Sequence, residues 1–266
     1  MKRMSKRSVS VVLTILIVVG LLSLTMFACT VKMAQGEDSY VDMTNAVLKQ
    51  LEEPKDEDPA MVVHTSMGDI TAVLYPEEAP EYVEQFTRLV ENGYYDNTYI
   101  YEVQSGVYFN AGSPNEDGSL GDAEIEANES IAMEKSVNLW PFKGAFCVPP
   151  TKKDTEFLKI LFGNDKTYGG TRFCICNTIE FDDEMRQQME DMKAKLNDVS
   201  EEFLEHGGIP NYSQQRTIFA QTYGEESFEV IDAITDVQLK GADSKSPKES
   251  ILIESIELGT WENVKK

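Results

Sequence analysis

Cys174 and Cys176 stand two residues apart with Ile175 between them, so on a strand both thiols face one side and the isoleucine the other. Thiols are the most versatile reactive groups in the chain, open to metal ligation, disulfide exchange or nucleophilic attack. Cys147 makes a third and Cys29 a fourth. Apart from Cys29 the number is odd, and no spacing fits a zinc site or a disulfide framework. Buried free thiols are therefore expected, with no metal and no cofactor. His64 falls on a strand and His206 in the last turn of a helix, where positive charge suits the helix dipole. Neither has a Ser or Cys partner at a spacing that makes a nucleophilic site, and no phosphate loop is present.

The segment that positions most of the remaining polar candidates runs from Gly93 to Pro114, GYYDNTYIYEVQSGVYFNAGSP. β-branched and aromatic residues crowd Thr98 to Val103 and Val107 to Phe109, with Gln104-Ser105-Gly106 between them, which predicts a β-hairpin. Upstream, Val62, His64 and Ser66 alternate with Val63 and Thr65, Met67-Gly68-Asp69 makes a turn, and Ile70 to Tyr75 alternates again, predicting a first hairpin. Between the hairpins, Ala79-Pro80 opens a helix whose apolar residues Val83, Phe86, Leu89 and Val90 recur at helical steps until Gly93. Ile251 to Leu258 supplies a last alternating strand. Asp182-Asp183-Glu184 fits a helix N-terminus. From 184 to 206 the residues Met185, Met189, Met192, Leu196, Val199 and Phe203 step by four and three, predicting one amphipathic helix. Its stripe either packs on the rest of the folded chain or docks a partner.

At 266 residues and 41% hydrophobic content the chain can bury a sizeable core. Lys2, Arg3, Lys6 and Arg7 precede an apolar run from Val9 through Ala28, the pattern of an export signal with a basic start. About 20 apolar residues can also span a bilayer and stay there. Met26-Phe27-Ala28-Cys29 resembles a bacterial lipobox, with Cys29 as the lipidation site. Residues 1–28 are thus read as signal peptide or membrane segment, 29–60 as lipid-anchored tether and charged linker, and 61–266 as the folded domain. Its location is extracytoplasmic, at the outer face of the membrane of a bacterium of Gram-positive type. The net charge of −22 includes those four N-terminal bases, so the remainder is more acidic still. Such a field repels nucleic acid and favours a basic or unfolded client.

The order of these motifs resembles the cyclophilins, the peptidyl-prolyl isomerases. The resemblance rests on the Met-Gly-Asp hairpin, the Ala-Pro helix start, the Gly-Tyr-Tyr-Asp exit at Gly93 to Asp96, and strands Ile100-Tyr101-Glu102-Val103 and Val107 to Gly112. It continues through Gly144 to Pro150, Gly169 to Ile175, Gly207 to Ala220 and Phe228 to Ile234, and covers roughly 61 to 260. It implies a mainly β, closed eight-stranded barrel with two capping helices, to which 184–206 adds one inserted amphipathic helix. It also implies proline-containing peptide segments of exported proteins as partners, with membrane attachment through the N-terminus.

The resemblance places Glu102 where the family has its catalytic arginine, Asn110 at the glutamine that holds the substrate backbone, and Arg216 at the pocket-edge histidine. Val107 and Tyr108 take the places of two residues lining the proline pocket, Cys174 that of a pocket phenylalanine, and Asn211-Tyr212 that of a Trp-Leu pair. Phe173 keeps its place, and Arg172 is a further cation nearby. A carboxylate presents acceptors only and cannot donate to a prolyl nitrogen. Glu102 and Arg216 are then either an ion pair across the pocket, with Arg216 as surrogate cation, or two solvated rim residues. The functions in view are an isomerase homologue with catalysis weakened or lost, a non-catalytic proline-peptide-binding or scaffold lipoprotein, and an assembly role for the inserted helix.

Overall fold

A computed structural model describes residues 46–119, 130–155, 166–196 and 199–265. Cys29 and the segment read as a signal lie outside the described residues. Alternating sequence produces the strands β1 (Pro59–Thr65), β2 (Gly68–Leu74), β3 (Thr98–Gln104), β4 (Tyr108–Ser113), β5 (Ile131–Ala132), β6 (Ala145–Cys147), β7 (Pro150–Lys153), β8 (Thr167–Gly169), β9 (Phe173–Cys176), β10 (Ile218–Thr222) and β11 (Ile251–Thr260). Eight of them close a barrel in the order β1-β11-β3-β4-β9-β6-β10-β2, the expected architecture. β5, β8 and β7 form a separate three-stranded sheet, which the sequence pattern did not announce.

Inward residues are apolar on every barrel strand: Met61 and Val63, Ile70, Ala72 and Leu74, Ile100 and Val103, Phe109 and Ala111, Phe146, Phe173 and Ile175, Phe219, Ile253 and Ile256. Helix α1 (Pro80–Glu91) adds Phe86 and Leu89 to this core, and the helix Glu225–Thr235 adds Ile231 and Ile234. These are the two capping helices. Proline at the first turn of α1 costs no hydrogen bond, because that N–H has no partner inside the helix anyway.

The predicted single helix over 184–206 is two described segments, α2 (Asp183–Leu196) and α3 (Val199–His206), followed by α4 (Glu225–Thr235) and a short α5 (Trp261–Val264). Met185, Met189, Val199 and Phe203 of the expected stripe pack with Trp140, Phe142, Ala46 and Leu48 in a satellite core. Met192 and Leu196 have side chains outside the described part. The stripe thus packs on its own chain where it is described.

The reading of 29–60 as tether is corrected for its described part. Gln50 is buried; its Nε2 donates to Trp140 O at 2.8 Å and to Gln221 Oε1 at 2.7 Å, and its Oε1 accepts from Trp140 N at 2.5 Å. Lys49 pairs with Glu78 at 2.8 Å and Glu77 at 3.1 Å. Ser136 Oγ also donates to Glu78, as does Asn138 Nδ2 at 3.0 Å. Charge alone suggested a solvated linker; a single amide that satisfies both backbone groups of Trp140 and the Gln221 side chain on β10 fixes it instead.

Candidate functional site

The β3–β4 hairpin turns at Gly106, whose φ of +69° suits glycine. Its register slips between Ile100 and Glu102, leaving Tyr101 as the extra residue of a bulge and setting Glu102 opposite Asn110. Val103, Phe109 and Ala111 point into the barrel, so Glu102, Tyr108 and Asn110 lie on its outer wall.

There the carboxylate collects three donors. Asn110 Nδ2 donates to Glu102 Oε2 at 2.9 Å, Tyr108 OH to Oε1 at 3.1 Å, and Lys245 Nζ to Oε1 at 2.8 Å. Lys245 Nζ also lies 3.2 Å from the Tyr108 hydroxyl. The lysine is held in place by its backbone, since Val103 N donates to Lys245 O at 2.7 Å. Burial pushes the Glu102 carboxyl up, but the hydrogen bonds from Lys245, Asn110 and Tyr108 outweigh it and hold the group below the ordinary carboxylate range. The bond to Glu102 raises Lys245. Asn110 is 7% exposed, and with its amide nitrogen committed to Glu102 its Oδ1 has no hydrogen-bond partner.

The expected alternative of a Glu102–Arg216 ion pair is corrected: Glu102 is paired with Lys245. Arg216 instead lays its guanidinium 3.5 Å from the centroid of the Tyr212 ring and brings Nη1 within 3.9 Å of Cys147 Sγ. The physical reason is reach. The loop carrying Lys245 runs against β3, whereas Arg216 precedes β10 and meets the wall at β6.

The rings of Tyr108 and Tyr212 lie 6.1 Å apart and join the two groups. Around them Val107, Tyr108 and Tyr212, all half-buried, pack on an apolar cluster containing Cys147, Cys174, Cys176, Ile209 and Ile218. Tyr212 sits in the turn Pro210–Tyr212, fixed by the close backbone approach at Gly208. A Cβ there would stand 2.3 Å from Pro141 O, at a φ of +131°.

Three residues expected at the site lie elsewhere. Phe173 is fully buried inside the barrel, stacked on Phe146 at 5.7 Å, because it alternates with the outward Cys174. Asn211 is exposed on the turn. Arg172 stacks over Tyr101 at 4.9 Å. Burial drives the Tyr101 hydroxyl up to about 12, with Arg172 opposing.

Two sets of residues went unseen in the sequence. Lys245 lies 143 residues from Glu102 and carries no local signal. The thiols of Cys174 and Cys176 face outward together as expected, but Cys147 joining them from β6 depends on the barrel closing. Hydrogen bonds from Cys174 and Cys176, with Arg216 alongside, hold the Cys147 thiol well below its usual range. Cys174 is raised chiefly by burial, Cys176 chiefly by its bond to Cys147.

The family profile of the cyclophilin type peptidyl-prolyl cis-trans isomerase/CLD matches residues 60–258. The chain belongs to the cyclophilin family. A Staphylococcus epidermidis protein named as a putative peptidyl-prolyl cis-trans isomerase is 28% identical over 206 residues, spanning 77% of this chain and 94% of that one. A Streptococcus pyogenes protein named as a putative bifunctional phosphatase/peptidyl-prolyl cis-trans isomerase is 29% identical over 201 residues, which is 75% of this chain. The match spans only 38% of that streptococcal protein. A Cryptosporidium parvum cyclophilin crystal structure superposes with a TM-score of 0.54 at 16% identity, covering 77% of this chain and 98% of the other. At that identity the likeness shows the cyclophilin fold alone. Among the described residues no helix is long and apolar enough to cross a membrane.

Proposed function

We propose that this cyclophilin binds proline-containing segments of exported proteins on the outer wall of β3, β4 and β9, and isomerises them slowly. It does so at the outer face of the cell membrane, held there by its N-terminal segment through a lipid on Cys29 or a retained helix. Family membership supports the substrate class, and the basic and apolar N-terminus supports the location.

The observation that carries the slowed chemistry is Glu102 with its three donors. Rotation about a prolyl bond meets a barrier of about 18 to 20 kcal/mol, since amide resonance must be broken. An enzyme lowers it with fixed donors aimed at the twisted amide. Here the position the family gives to arginine holds a carboxylate, and it turns Lys245, Tyr108 Oη and Asn110 Nδ2 toward itself. Arg216, whose guanidinium stacks on Tyr212 at 3.5 Å, serves as the surrogate donor.

The test is cis-to-trans isomerisation of a proline tetrapeptide followed with wild type and Arg216→Ala. A catalysed rate that vanishes in Arg216→Ala supports the reading, and a rate unchanged by that substitution removes Arg216 from the chemistry. A second reading, a non-catalytic proline-peptide binder or scaffold, is favoured by the commitment of every donor around Glu102. It stands if wild type only matches the uncatalysed rate while still binding the peptide.

A further inference from the structure

Cys147, Cys174 and Cys176 are free and fully buried, yet all three converge on one point of the outer wall. Cys147 is the direct cross-strand partner of Cys174. Cys176 lies two residues along β9 on the same face, its sulfur 3.8 Å from that of Cys147, and the three sulfurs lie within 4.8 Å of one another. Free cysteines are commonly buried as small apolar groups. Packing alone does not ask for three sulfurs to meet, nor for the Arg216 guanidinium at 3.9 Å from one of them.

We propose that Cys147, Cys174 and Cys176 form a three-coordinate site for a soft monovalent metal ion, Cu(I), with Arg216 as its charge-balancing cover. Thiolate donors select Cu(I), zinc or iron–sulfur clusters over hard cations. Structural zinc takes four ligands in a tetrahedron. Among the described residues no His, Asp or Glu atom joins the three sulfurs within that 4.8 Å. A trigonal planar ion about 2.3 Å from each sulfur sets the sulfurs about 4.0 Å apart, so the three need only sub-ångström adjustment from their present spacing.

Binding transfers no electrons. The ion enters as Cu(I), three Cu–S bonds form, and each ligating thiol gives its proton to solvent. The thiolates outweigh the single positive charge of the ion, and the Arg216 guanidinium offsets part of the excess. The strands that carry the ligands are central in the barrel wall, β9 between β4 and β6, which preorganises the sulfurs. The site shares Arg216 and Cys174 with the proposed peptide wall, and metal binding is read without reference to prolyl turnover.

The experiment titrates the reduced full-length protein anaerobically in detergent with Cu(I) against a bicinchoninate chelator, alongside Cys29→Ser to remove the remaining thiol. One Cu(I) per chain is expected in both, with sulfur-to-copper charge-transfer absorption and an all-sulfur, three-coordinate shell by X-ray absorption. Cys174→Ser should lose competition with the chelator, and the variant with all three replaced by Ser should bind none. Failure of the wild type to compete overturns the site. So does full binding by the triple variant, tighter binding of Zn(II) in a four-ligand shell, or a wild-type copper shell containing nitrogen or oxygen. The last measurement needs no variant and stands even if the triple substitution prevents folding.

Discussion

The ammonium of Lys245 lies 2.8 Å from Oε1 of Glu102, and the Tyr108 hydroxyl donates to the same oxygen at 3.1 Å. Because Glu102 is depressed in the folded state, the stabilisation it gives is fully present above the ordinary carboxylate value of 4.5. It is lost as pH falls through the depressed folded value. Lys245 is raised, so its side of the pair is lost only as pH rises through a value above 10.5. Lys245 is half exposed, and Lys245→Ala should therefore cost less than about 1 kcal/mol at neutral pH. Urea titrations of wild type and variant should differ at pH 7 and converge in acid; a difference that grows in acid contradicts the pairing.

Replacing the carboxylate should recover chemistry, in two steps. Glu102→Arg supplies a donor but sets it beside Lys245, where like charges repel. Glu102→Arg with Lys245→Glu keeps the pair with its signs exchanged. The double variant should raise kcat/KM for a proline tetrapeptide by about tenfold or more over wild type, given that one such donor is typically worth about 10² to 10³ in rate. The single variant should gain less. Equal rates in all three proteins would show that the pocket walls, not Glu102, limit catalysis.

What was legible in the sequence, and what was not, divides along range. Val63, Ile70 and Phe109 alternate with outward neighbours, so each reports its own face and strand; Phe86 and Leu89 do the same for α1. The ordered motifs then supplied the barrel. Glu102 was found by its place in such a motif, but its partner was not, because Lys245 is brought in by a loop whose sequence, Gly241 to Ser250, has no periodicity. Phe173 keeps its family place as a core residue, since alternation puts it inside whenever Cys174 faces out. Gln50 was hidden by the charges that follow it at 52–58, and a buried amide in a polar segment leaves no compositional trace.

The Gly208 backbone should be intolerant of a side chain. With φ at +131° and Pro141 O at 2.3 Å from an added Cβ, Gly208→Ala must move the 141–142 backbone or the turn that follows. A cost of about 2 kcal/mol or more is expected, read as a lowered urea midpoint. Loss of the Tyr212–Arg216 stack should appear as a changed tyrosine near-ultraviolet circular dichroism signal.

Acid should release the docked segment before the barrel unfolds. Burial raises Glu78, but hydrogen bonds from Lys49, Ser136 and Asn138 outweigh it and hold the carboxyl low. Its contribution is present above 4.5 and lost as pH falls through the lower folded value. Glu78→Gln at neutral pH should mimic the acid state, weakening the segment by about 1 to 2 kcal/mol. Hydrogen exchange at Val47 and Leu51 should accelerate about tenfold, with the β3 amides unchanged. Exchange that accelerates equally in β3 would mean Glu78 supports the whole barrel.

Gln50 fastens that segment to Gln221 on β10, and Lys49 fastens it just beyond β2. In the eight-stranded ring β10 stands opposite β3 and β2 opposite β4, so residues 46–51 are clasped to the wall behind Glu102 and Asn110. The clasp at Gln50 therefore keeps residues 46–51 off the wall of Glu102, Tyr108 and Asn110: a peptide meets that wall without displacing them.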